Sequence, residues 1–216
     1  MQPQEKIIKT YNATAESYAA TRIDELSKKH FDRLILKEFA QLNKNAGTCA
    51  DFGCGPGQTT KFLFDAGLLD IIGVDISPGM VNMARKLFPS IKFETGDLLA
   101  LPYPAKHFAS ALAFYAIVHF DYPQVDLAFK EVNRVLKNGS HFLFSFHVGD
   151  ETMHFDKAND IDVDIDLHFL QTDRILKLLD DNKFKIIDTI ERLPYPDVEW
   201  ATKRGYVWAV KFDDVG

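Results

Sequence analysis

Residues 48–75 constrain this chain more than any other stretch. They read T-C-A-D-F-G-C-G-P-G-Q-T-T, then a run with apolar helical spacing, then I-I-G-V-D. The pattern is strand, glycine turn, helix, strand. Residues 48–52 form the first strand and Gly53, Cys54, Gly55, Pro56 and Gly57 the turn. Residues 59–66 place Phe62, Leu63 and Ala66 on one helix face, with Gly67 at the usual stopping point. Residues 71–74 make a second apolar strand that ends on Asp75. Glycines let a ligand approach the backbone, and an acid closing the second strand holds ribose hydroxyls. Asp75 lies 22 positions after Gly53, near the ~20 such a unit needs.

A dinucleotide fold requires G-x-G-x-x-G, which seats a pyrophosphate on a helix N-terminus. Here the order is G-x-G-x-G with Gln58 next, and Asp51 ends the first strand. A carboxylate there repels pyrophosphate and suits a ligand carrying ammonium and sulfonium charges. The run Asp51-Phe52-Gly53-Cys54-Gly55-Pro56-Gly57 with Asp75 resembles the class I S-adenosylmethionine-dependent methyltransferases, of the small-molecule, bacterial stand-alone type. The resemblance covers residues 11–146. It implies an α/β, doubly wound, seven-stranded and mainly parallel sheet with the last strand antiparallel, helices on both faces and an N-terminal helical lid.

It also implies S-adenosyl-L-methionine as cofactor, held by the backbone of Gly53, Cys54, Gly55 and Gly57 beside Asp51. Asp75 with Ile76 would take the ribose, and Met80 and Leu98 would sandwich adenine. Asp97, after Gly96, would accept from the adenine amino group. Tyr11 and Tyr18, seven apart on one helix face, look like the segment that relatives fold over the cofactor. Phe114 and Tyr115 end the fourth strand at the ligand edge of the sheet.

Elsewhere the sequence is less specific. Residues 24–45 read as one amphipathic helix burying Phe31, Leu34, Ile35, Phe39 and Leu42, with no chemistry of its own. Ser77 caps a helix whose first residue is Pro78. Residues 91–95, 108–114 and 141–148 are strands, and 124–136 is a helix closed by Lys137-Asn138-Gly139. Residues 151–171 form an insert over the active-site face, where 160–167 alternates acid with apolar like a charge-guarded hairpin edge. Thr172 caps the next helix, and 184–190 and 205–212 are the last strands. No repeat or linker divides residues 1–216, which read as one methyltransferase domain with residues 1–45 as the lid.

The formal charge of −6 advertises no nucleic-acid footprint. No apolar run reaches the ~20 residues of a membrane span, and no signal peptide opens the chain, so no membrane association and a cytoplasmic location are expected. Cys49 and Cys54 offer neither a disulfide framework nor metal spacing. His147, Asp150, Asp164, Asp166 and His168 are of metal-ligand type, but the acids alternate as a solvated strand face does, so no metal is expected. His119 and His147 follow strands at the ligand edge and are the candidate bases or orienting groups, with Arg204 able to reach the same rim. The function expected is methyl transfer to a small-molecule acceptor. The alternatives are a binding protein that has lost turnover and, less favoured, a nicotinamide-nucleotide oxidoreductase.

Overall fold

The computed structural model describes residues 3–158 and 161–212. The chain opens with α1 (Pro3–Arg22), a 3₁₀ turn (Glu25–Lys28) and α2 (His30–Asn43). Then β1 (Cys49–Phe52), α3 (Gln58–Asp65), β2 (Ile71–Asp75), α4 (Pro78–Leu87) and β3 (Lys92–Thr95) follow as the sequence pattern requires. The second half runs β4 (Phe108–Phe114), α5 (Tyr122–Val135), β5 (Leu136–Val148), β6 (Thr152–Ala158), β7 (Ile161–His168), α6 (Thr172–Asp181), β8 (Phe184–Arg192) and β9 (Lys203–Lys211).

Seven strands form one sheet in the order β3-β2-β1-β4-β5-β9-β8. The pairs from β3 through β5 are parallel and β9, the last strand, is antiparallel to both neighbours. Both faces are covered. Ile35, Leu36 and Phe39 of α2, Leu63 of α3 and Val81 and Ala84 of α4 pack on one side. Val125, Phe129 and Val132 of α5 and Ile175 and Leu179 of α6 pack on the other. Such a sheet buries both faces, so β4 reads as a nearly continuous apolar run. The order of winding reverses between β1 and β4, and the crevice beyond the carboxyl ends of those parallel strands is where such sheets bind ligands.

Four local expectations are corrected. Residues 24–45 are not one helix, and Leu34 and Leu42 are 68% and 56% exposed. The buried stripe of α2 runs instead through Asp32, Ile35, Leu36, Phe39, Ala40 and Asn43, because a 3.6-residue period cannot also turn Leu34 and Leu42 inward. Lys137-Asn138-Gly139 does not close α5 as a turn but lies within β5, where Gly139 takes φ 75° beside a register break with β4. Gln171, not Thr172, is the N-cap of α6. Thr172 Oγ1 instead donates to Glu191, 2.6 Å away.

The insert is a two-stranded hairpin of β6 and β7, apart from the main sheet. Asp160, the first acid of the alternating run, lies outside the described residues. Ile165 and Leu167 face inward while Asp162, Asp164 and Asp166 face out. Lys6 of α1 pairs with Asp164 at 2.8 Å, so the first helix and the hairpin meet above the sheet's ligand edge.

Candidate active site

A deep cleft opens at that edge and encloses about 1080 Å³ with its mouth. Its floor is the turn after β1. Gly53 and Gly55 take φ 67° and 54°, values L side chains rarely adopt. A Cβ on Gly53 would collide with Ala116, whereas a Cβ on Gly55 would meet nothing within 4 Å. Gly55 therefore marks open space beside bare backbone. Gly53, Cys54 and Gly55 line the cleft. Gly57 does not, and serves as the left-handed N-cap of α3 packed against Phe93 and Phe88.

Asp75 closes β2 at one side of this floor. Its two oxygens accept from Gly55 N at 2.8 Å and Ser77 N at 2.9 Å. Burial raises its pKa, and those two backbone donors oppose the rise. Ser77 Oγ caps α4 by accepting from Met80 N and donates to Asn12 Oδ1, which clips α1 onto the start of α4. Met80 and Leu98, both buried, line the cleft with Ile76, Gly96 and Asp97. Asp97 accepts from Leu99 N at 2.9 Å, the local turn that holds its carboxylate in place.

Asp51, at the end of β1, is 1% exposed. Burial pushes its pKa up to about 7, against a 2.6 Å hydrogen bond donated by Thr60. On the same cleft lining Gln58 Nε2 donates to Glu25 while Gln58 Oε1 is buried without a partner. An orphaned acceptor in a cleft that also holds a buried carboxylate is a place that wants a cationic donor. Glu25 also accepts from Lys29 Nζ at 2.9 Å, and Lys29 lines the cleft.

α1 forms the roof, contributing Ile7, Tyr11 and Tyr18. Tyr11 Oη lies 2.7 Å from His119 Nε2, and His119 Nδ1 is 2.6 Å from the Asp166 carbonyl of β7. A carbonyl only accepts, so Nδ1 carries the proton, and in the neutral ring Nε2 accepts from Tyr11. Burial lowers the His119 pKa to about 4, consistent with a neutral ring. Tyr115 and Phe114 line the far wall, and Tyr115 holds φ 54° with its N–H donated to Ser145.

His147 is not in the cleft. It packs against Tyr115, Phe169 and Trp200. His147 Nδ1 lies 2.8 Å from Thr202 Oγ1, which also accepts from Arg204. Burial first, then Arg204 and Lys29, lower the His147 pKa to about 3. Arg204 likewise misses the rim: it is 4% exposed and donates to Thr202 and to the Trp200 carbonyl.

Sequence reasoning missed Glu25, Leu26, Lys29, Asp32 and Gln58, all of which line the cleft. Asp32 had a signal, since an acid on the apolar stripe of α2 needs a buried partner. Among the described residues no group of three or more His, Cys, Asp or Glu could hold a metal ion. His154 does sit between Asp156 and Asp166, at 3.0 and 2.7 Å, on the exposed face of the hairpin.

Known proteins fit this geometry. Residues 49–139 match the family described as a methyltransferase domain. An uncharacterised methyltransferase of Oceanobacillus iheyensis is 30% identical over 109 residues, 50% of this chain and 49% of its own length. The ubiquinone/menaquinone biosynthesis C-methyltransferase of Campylobacter jejuni is 29% identical over 151 residues, 64% of this chain and 62% of its own. The chain thus spans about half to three-fifths of these relatives. Magnesium protoporphyrin IX methyltransferase from Synechocystis, solved with bound S-adenosylmethionine, shares the fold at TM-score 0.74, with 17% identity and 98% of each chain covered. The glycine turn, the closing Asp75 and the seven-stranded order give this chain the fold of the class I S-adenosylmethionine-dependent methyltransferases, with residues 49–139 matching the methyltransferase-domain family.

Proposed function

We propose that this protein transfers a methyl group from S-adenosylmethionine to a small-molecule acceptor within the cleft. The carrying observation is the pairing of bare backbone at Gly55 with Asp75, Asp51 and the orphaned Gln58 Oε1 around one space. The donor set fits the cofactor. Asp75 has lone pairs left for ribose hydroxyls, Met80 and Leu98 supply apolar faces for adenine, and Asp97 accepts from its amino group. Asp51 and Gln58 Oε1 receive the ammonium at the glycine turn, and Lys29, the cation on the cleft lining, faces the carboxylate. When bound, the cofactor supplies a methyl group already activated by a sulfonium leaving group.

The chain's own task is alignment and exclusion of water. Tyr11, Tyr18, Phe114 and Tyr115 wall the space, and proximity contributes much of the rate in such a displacement. His119 acts through Tyr11: its Nε2 draws on the Tyr11 hydroxyl proton and fixes where that oxygen points. His147 supports Tyr115 from behind and moves no proton. Residues 1–45 work as lid and 151–171 as insert of one catalytic domain. The carboxylates lining the cleft disfavour a pyrophosphate, and with it the nicotinamide reading, and they disfavour a nucleic-acid acceptor. No described helix is long and apolar enough to cross a membrane. Two buried free cysteines suit a reducing cytoplasm.

An S-adenosylhomocysteine-release assay over a metabolite panel tests this. Turnover with a small molecule is the expected result. Tight cofactor binding with no turnover across a broad panel would move the weight to a binding protein.

A further inference from the structure

Tyr11, Tyr18 and Tyr115 line the cleft, and the hydrogen bonds behind Tyr11 and Tyr115 are directional. Tyr206 Oη donates to Asp32 Oδ1 at 2.6 Å, and Arg192 donates to the same carboxyl oxygen at 3.0 Å. That oxygen therefore only accepts, and the single Tyr206 proton is spent on it. Arg192 Nε also donates to Tyr206 Oη, so the 3.2 Å contact between Tyr115 and Tyr206 has one consistent direction: Tyr115 is the donor. Tyr11 is fixed the same way from the other side. The Asp166 carbonyl holds the His119 proton on Nδ1, and Tyr11 must donate to Nε2.

Both hydroxyls have given their protons inward and show only lone pairs to the cleft. The lining adds to this bias. Asp32, whose Oδ1 accepts from both Tyr206 and Arg192, is a further acceptor on the lining beside Tyr115. A buried surface built this way rejects a ligand that brings no donor, because its acceptors are then left unpaired.

We infer that the methyl acceptor is a neutral or cationic molecule presenting an N–H or O–H donor to Tyr11 and Tyr115, an amine or hydroxyl nucleophile rather than a carboxylate or a donor-free carbon centre. This deepens the methyltransferase reading and rests on it. For such an acceptor the balance is simple. The nitrogen or oxygen lone pair forms the bond to the methyl carbon, the carbon–sulfur bond breaks with its electrons left on sulfur, and the acceptor proton leaves to water.

The test uses the full chain saturated with S-adenosylhomocysteine and ligand-observed NMR. The probes are matched triples on common aryl and alkyl skeletons: a primary amine or alcohol, its N,N,N-trimethylammonium or methyl-ether counterpart, and the carboxylate. The donor-bearing member should bind about ten-fold tighter than the others. Tyr115→Phe and Tyr11→Phe should each shrink that ratio, which is read within a triple so that a general loss of binding cancels. Tyr206→Phe frees the Tyr115 proton to turn into the cleft and should raise ether and carboxylate binding relative to the amine. Carboxylates or ethers binding as well as donors overturns the inference. So does a ratio that survives in the folded variants, or a cleft that refuses every donor-bearing probe. Failure to bind S-adenosylhomocysteine by calorimetry would instead count against the cofactor reading, and the same triples can then be titrated into the free protein.

Discussion

Asp32 and Arg192, 160 positions apart, meet at 3.0 Å behind the cleft wall. Arg192 also grips Glu199 with both terminal nitrogens, at 2.7 and 2.9 Å. Its planar fork thus ties α2, the end of β8 and the 193–202 connection together. Burial works against the Glu199 charge, yet Arg192 and the Tyr195 N–H hold its pKa down at about 2. Removing one partner of such a cluster leaves the others charged and dry. Arg192→Met should cost about 3–5 kcal/mol of stability in urea unfolding. Arg192→Lys should recover only part of that loss, since an ammonium cannot serve Glu199, Asp32 and Tyr206 at once. A loss below about 1 kcal/mol for Arg192→Met would mean the cluster is solvated in solution.

His119 and His147 predict acid lability. Folded, their pKa values fall to about 4 and about 3 by burial, against 6.5 for the free side chain. The unfolded chain therefore binds more protons across that window. The contribution of the two rings should be constant above pH 6.5 and decline as pH drops toward 4, by up to about 1.4 kcal/mol per pH unit for each histidine, while Asp51, raised to about 7, opposes part of that slope in the same window. Glu199 adds a loss below about pH 4.5 in the same direction. Urea midpoints across pH for His119→Gln and His147→Gln give the check. Each should flatten the slope, and an unchanged profile in both would mean these rings titrate normally.

Asp51 predicts the opposite kind of linkage, in binding. Burial raises its pKa to about 7, and an ammonium placed against it favours the ionised form. Cofactor affinity should rise between pH ~6 and ~8, with up to one proton released per complex. Calorimetry in buffers of different ionisation enthalpy measures that proton. Asp51→Asn should abolish the release. Heats independent of buffer in the native protein would place the ammonium elsewhere.

The glycine turn, Asp75 and the Ser77 cap were legible because their chemistry is local: each depends on residues within a few positions. Within the 151–171 insert, the strand over residues 161–167 was legible from strict alternation, a period only a strand presents on one face. Lys29 and Asp32 were not. They sit in a stretch whose apolar count suggested a plain packing helix, and their partners Glu199, Arg192 and Tyr206 come from the far end of the chain. The same distance hid the difference between the two histidines. Both follow strands at the ligand edge, but His119 meets Tyr11 of the lid whereas His147 is capped by Thr202.

The central claim is that this cleft binds the cofactor through Asp75 and the glycine turn. Calorimetric titration of S-adenosylhomocysteine into the native chain and Asp75→Ala tests it most directly, with thermal melting to confirm that the variant is folded. The account predicts one saturable site, weakened by roughly 2–5 kcal/mol in the variant as charge-assisted hydrogen bonds are lost. No binding to the native chain, or tight NADH binding in its place, would contradict it, as would a folded Asp75→Ala that binds as well as the native protein.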